Sequence, residues 1–173
     1  MQKVFGIIVG LCLLAAVGLS SCLKGPEYAI EPHITNVTID KTVIANFEES
    51  FVVSIDFEDG DGDLGTDSDT SEEELTDNIF LVDNRLNVGL DSIFTRPFSV
   101  EMLTPSSGSQ AIDGTIRVTI TGLCCYNESG APACFPNDAR VETNEVVFDV
   151  YIQDRAGNQS NVMQTPPLTI QCK

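Results

Sequence analysis

The sequence predicts an all-β fold, an antiparallel β-sandwich of about seven strands, from three observations. Apolar residues recur at every second position in several short segments. Glycine, proline, asparagine and aspartate separate those segments. No stretch beyond residue 22 sustains a helical period. Short strands of this kind bury their apolar faces by packing two sheets together.

The elements follow in order. His33 to Asp40 is a modest alternating segment. Ser50 to Phe57 is the clearest, with Phe51, Val53, Ile55 and Phe57 on one face and Val52, Ser54 and Asp56 on the other. Asn78 to Asp83 and Phe98 to Leu103 are short apolar strands. Gly114 to Cys124 sets Ile116, Val118, Ile120 and Cys124 against Arg117, Thr119 and Thr121. Glu145 to Asp154 turns Val146, Phe148, Val150 and Ile152 inward, and Leu168 to Cys172 closes the series. Glu72 to Asp77 offers one helical turn, and no internal repeat is present.

The N-terminus carries a different signal. Lys3 precedes an uncharged run from Val4 to Leu19, which ends in Leu19-Ser20-Ser21-Cys22. This resembles the bacterial lipoprotein signal, in which a small residue precedes an obligatory cysteine that is acylated as the leader is cut away. The competing transmembrane helix is disfavoured, because the run is short and no basic cluster follows it. The resemblance implies an exported protein anchored through Cys22, each buried methylene contributing about 0.8 kcal/mol. Leu23, where an aspartate would retain the protein at the inner membrane, implies the outer membrane, with the exposed face undecided. The expected organisation is a signal peptide over 1–21, a lipidated tether over 22–32 containing two prolines and a glycine, and one domain over 33–173.

Charge narrows the partners. The chain carries 26 acidic against 9 basic residues, a formal charge of −17, and loss of Lys3 with the leader makes the remainder one unit more negative. Such a surface repels nucleic acid and anionic lipid headgroups and favours divalent cations. Of six cysteines, Cys12 leaves with the leader and Cys22 takes lipid. Cys124, Cys125, Cys134 and Cys172 form an even set in an oxidising compartment. One histidine, His33, and no Cys-x-x-Cys pair argue against zinc. Strand phase puts Cys124 on the inward face with Ile120, and Cys172 inward with Ile170. The expected pairs are therefore Cys124–Cys172 and Cys125–Cys134, worth about 4 and about 2.7 kcal/mol by loop entropy. Four cysteines allow three pairings.

The candidate site lies between the second and third strands. Asp56 to Asp77 contains eleven carboxylates and no basic residue. Asp59, Asp61 and Asp63 alternate with glycine, which lets the backbone curl until their oxygens converge. A pair of carboxylates 6 Å apart repels by only ~0.7 kcal/mol in water, yet many pairs accumulate. The pattern is similar to aspartate-rich calcium loops such as the EF-hand. It departs from that family at Leu64, where a glycine belongs, at Thr70, where a glutamate belongs, and in lacking flanking helices. Calcium is the expected cofactor, held by Asp59, Asp61, Asp63 and Asp67, with Asp154 joining if its strand end lies beside the loop. The alternative is a solvated acidic loop.

A second resemblance lies in Tyr151-Ile152-Gln153-Asp154-Arg155-Ala156-Gly157-Asn158-Gln159-Ser160-Asn161, which looks like the last hairpin of bacterial immunoglobulin-like domains. Gly157 and Asn158 tolerate the left-handed backbone such a turn needs. The Asp-Gly-Asp-Gly-Asp-Leu-Gly loop beside a lipobox resembles small surface lipoproteins of Bacteroidota-type bacteria. Asp91-Ser92-Ile93 is similar to the O-glycosylation site of that group, although three residues match by chance often and a plain turn is the better reading. These resemblances imply location and an immunoglobulin-like fold more than an activity.

Catalysis is not expected. No Gly-x-Ser-x-Gly and no phosphate-binding glycine loop occurs, and a serine or cysteine nucleophile would lack a histidine base within the domain. A carboxylate pair in one solvated loop is poorly placed for separated acid and base roles. The expected function is a non-catalytic envelope module that binds a protein partner. The alternative is a glycan- or nutrient-binding lipoprotein of an uptake system. That reading rests on a thin aromatic surface, with no tryptophan and only Tyr28, Tyr126 and Tyr151.

Overall fold

The computed structural model describes residues 27–66, 77–86, 95–103, 110–135 and 141–173. Cys22, Asp67, the leader and Asp91-Ser92-Ile93 lie outside the described residues. Among the described residues twelve strands follow one another: β1 (His33–Ile39), β2 (Val43–Ala45), β3 (Phe51–Asp59), β4 (Ile79–Asp83), β5 (Thr95–Phe98), β6 (Ile112–Ile120), β7 (Cys125–Tyr126), β8 (Pro132–Ala133), β9 (Thr143–Val146), β10 (Phe148–Ile152), β11 (Met163–Gln164) and β12 (Leu168–Gln171). The only helical element among the described residues is a 3-10 turn at Asn84–Leu86.

The strands form two facing layers. One is the antiparallel sheet β1-β3-β6. The other combines the antiparallel sheet β11-β10-β4-β5 with a smaller sheet β2-β12-β9, in which β2 and β12 run parallel. Period-2 patterning builds the core. Phe51, Val53, Ile55 and Phe57 of β3 and Ile116, Val118 and Ile120 of β6 meet Ile79, Leu81, Phe148, Val150, Ile152, Leu168 and Ile170 in one buried cluster. The rings of Phe51 and Phe148 lie 6.2 Å apart between the layers.

Local irregularities have local causes. In β1, Ile34 pairs with Phe57 but Asn36 pairs with Asp56, so Thr35 is an extra residue. This bulge moves the inward phase from Ile34 to Val37, and both are buried. The predicted Glu145–Asp154 strand is two strands. β9 pairs with β12 and β10 pairs with β4, the chain changing sheets at Val147 while Val146 and Phe148 stay buried. The predicted Phe98–Leu103 strand lies earlier, as β5. Residues 100–103 instead bind the acidic loop, with Thr66 N donating to Val100 O at 2.9 Å and Met102 N to Thr66 O at 2.9 Å.

The disulfide expectation is corrected. The bonded pairs are Cys124–Cys134, with Cα atoms 4.5 Å apart, and Cys125–Cys172, 5.9 Å apart. The expected Cys124–Cys172 and Cys125–Cys134 pairs assumed that the β6 alternation runs on to Cys124. It stops at Ile120, and Gly122 adopts φ 63°, a conformation glycine takes without steric cost. The phase shifts by one residue, so Leu123 and Cys125 are buried while Cys124 is partly exposed. Cys125 therefore reaches Cys172 across the core and Cys124 closes the short hairpin. Asn46 locks this corner: its Oδ1 accepts Cys125 N at 3.0 Å and its Nδ2 donates to Ala133 O at 3.2 Å.

Candidate metal centre

β3 carries its alternation one step beyond its last apolar residue. Asp59 is next in phase after Phe57, so the strand delivers its carboxylate to the inward face, where it is fully buried. Gly60 and Gly62, the latter at φ 66°, then turn the chain back on itself. Leu64 enters the core and is also fully buried. The residue that breaks the EF-hand pattern is thus the loop's hydrophobic anchor. Gly65, at φ 102°, lies so close to residue 101 that a Cβ there would stand 2.5 Å from Glu101 O. Buried Asn78 ties down the loop's exit, its Oδ1 accepting Thr66 Oγ1 and Val100 N at 3.1 Å each.

The curl brings Asp59, Asp61 and Asp63 together, one oxygen from each lying within 4.8 Å of the others. Both oxygens of Asp59, and Oδ1 of Asp61 and of Asp63, are buried without a hydrogen-bond partner. Buried polar atoms are nearly always paired, and an uncompensated buried carboxylate is costly. Burial pushes the Asp59 carboxyl up to about 6, and the charges of Asp61, Asp63 and Asp154 act in the same direction. Asp63 is raised by burial and by Asp154 and Asp61, against the opposing pull of the Ala156 amide and Arg155. Three hard oxygen donors converging on one point, with no competing donor inside the set, could hold a metal ion.

Asp154 lies at the edge of this cluster. It is buried, and its charge acts on both Asp59 and Asp63. Its oxygens are already engaged: Oδ1 accepts Asn158 N and Oδ2 accepts Asn158 Nδ2, both at 2.8 Å. Asp63 grips the same turn, its Oδ2 accepting Ala156 N at 3.2 Å. The acidic loop and the 154–158 turn are therefore one unit.

Sequence reasoning missed the roles of Asn158 and Asn161. Asn158 clamps Asp154. Asn161 clamps the β1 bulge, its Oδ1 accepting Ile34 N at 2.8 Å and its Nδ2 donating to Ile34 O at 3.0 Å. The signal was present in the Asp-x-Ala-Gly-Asn-x-Ser-Asn spacing, but a spacing does not say which backbone groups each amide will meet.

The aromatic surface is largely engaged. Arg85 stacks 4.3 Å from the Tyr126 ring centre while its guanidinium pairs with buried Asp83. Tyr151 stacks on Phe80, centroids 4.8 Å apart and planes 10° apart. His33 is exposed at the start of β1.

The chain matches no protein-family model, no curated protein and no solved structure. The assignment of function therefore rests on the chemistry of the site and the N-terminal sequence.

Proposed function

We propose that this is an exported outer-membrane lipoprotein, anchored through Cys22, whose immunoglobulin-like sandwich is a non-catalytic protein-interaction module ordered by calcium. The observation that carries the calcium reading is Asp59, fully buried with both oxygens unpaired and facing Asp61 and Asp63. The triad oxygens lie within 4.8 Å of one another, close enough to share one hard cation, and calcium is the ion that the loop's likeness to aspartate-rich calcium loops favours. Asp154 supplies further negative charge, and Asp67 follows in the same loop. The affinity expected of an extracellular module is about 10⁻⁴–10⁻³ M.

Support for the interaction role comes from the rigid scaffold and the strongly acidic surface, which favours a basic partner. The glycan-binding alternative has less behind it, since Arg85 covers Tyr126 and Phe80 takes a face of Tyr151. Titration of the full-length protein in detergent with calcium chloride, followed by calorimetry, tests the metal reading. One saturable site is expected, abolished when Asp59, Asp61 and Asp63 are changed together to asparagine. At a hundredfold excess over Kd, calcium should add about 2.7 kcal/mol of stability. Absence of heat and of stabilisation would remove calcium from the account. Metabolic labelling with palmitate, lost in Cys22→Ser, tests the anchor separately.

A further inference from the structure

The segment ahead of β1 rests on the acidic loop. A Cβ placed on Gly60 would stand 2.4 Å from Ala29 O and 2.6 Å from Tyr28 O. Two backbone carbonyls thus press on the chain between Asp59 and Asp61. Tyr28 Oη reaches across to Asp113 Oδ1 at 3.3 Å. The charges oppose this contact. Residues 27–33 contain Glu27 and Glu31 and neither lysine nor arginine, and they line one cavity with Glu58. The residue that the carbonyls rest on, Gly60, lies between two members of the triad, Asp59 and Asp61. A divalent cation among those carboxylates offsets most of their negative charge, which relieves the repulsion on Glu27 and Glu31, and it fixes the Gly60 backbone on which the two carbonyls rest.

We propose that the cation held by Asp59, Asp61 and Asp63 latches residues 27–31 onto the domain, and that its loss releases them. This rests on the calcium reading above. With the anchor at Cys22, the latch sets how far the domain stands from the membrane. Cys22 to His33 spans up to about 37 Å when extended, whereas Cys22 to a latched Tyr28 spans about 20 Å.

The test is cleavage of the Glu27–Tyr28 bond by a glutamyl endopeptidase, using the full-length protein in detergent at pH 7.5, with calcium or with chelator. Fragments are identified by mass, and calcium binding is measured on the same samples by calorimetry. Saturating calcium should slow this cleavage about tenfold or more, since cutting follows the released population. Gly60→Ala keeps the three carboxylates but drives a methyl into Ala29 O. It should bind calcium more weakly by a similar factor, as reciprocity requires, and be cut quickly in either condition. Tyr28→Phe, a milder change should Gly60→Ala fail to fold, should speed cleavage in calcium by removing the bond to Asp113. Calcium heat with an unchanged cleavage rate would overturn the latch and leave the metal site standing. Absence of heat would overturn both.

Discussion

Asp59→Asn is expected to stabilise the calcium-free protein, although it alters a fully buried residue. In the absence of cation, folding carries the Asp59 carboxylate into a site with no hydrogen-bond partner and with Asp61, Asp63 and Asp154 close by. Its pKa rises from an ordinary 3.8 to about 6. A raised carboxylate pKa means that the folded state holds the proton more tightly than the unfolded chain does. The associated stability is complete below pH 4 and is lost as pH rises through 6. At 1.36 kcal/mol per pKa unit the loss is at most about 3 kcal/mol, and relaxation of the loop reduces it. The amide is buried much as the protonated acid is, so the substitution recovers the charge term. The assay is thermal unfolding in chelator across pH 4 to 8. Asp59→Asn should melt about 5–10 °C above the wild type at pH 7.5, with the gap closing toward pH 4. Added calcium should raise the wild type and leave the variant in place. A variant that melts well below the wild type in chelator at every pH would refute the reasoning, because Asp59 would then have a stabilising partner.

Four further outcomes check the scaffold. Peptide mapping without reduction should recover Cys124 linked to Cys134 and Cys125 linked to Cys172. Replacing Cys125 and Cys172 by alanine should cost about 4 kcal/mol in denaturant unfolding, against about 3 kcal/mol for the shorter bridge. Phe148→Ala, which opens a cavity against Phe51, should destabilise by about 3–5 kcal/mol in the same measurement. Asn46→Ala leaves Cys125 N and Ala133 O unpaired in a buried corner, and should lower stability by about 1–3 kcal/mol.

The strands with an unbroken period were legible in the sequence. Phe51 to Phe57 and Ile116 to Ile120 face the core as their alternation requires, because a strand's side-chain period is fixed at two. What broke the reading was a single residue out of phase. Gly122 at φ 63° exchanged the roles of Cys124 and Cys125, and the extra residue at Thr35 in β1 shifted the phase from Ile34 to Val37. Neither event has a hydropathy signature. The triad Asp59, Asp61 and Asp63 was legible as a cluster. Its most telling feature was also in the pattern and went unread: Asp59 sits two residues after Phe57, in the inward phase of β3. The clamp of Asn161 on Ile34 and the contact of Ala29 with Gly60 join residues far apart in the chain, and only the folded arrangement reveals them.

The most direct measurement is diffraction from crystals grown with calcium, recorded where its anomalous signal can be separated from that of lighter atoms. One ion is expected, bounded by Asp59, Asp61 and Asp63 at about 2.3–2.6 Å from their oxygens. Well-ordered carboxylates with no ion between them at saturating calcium would contradict it.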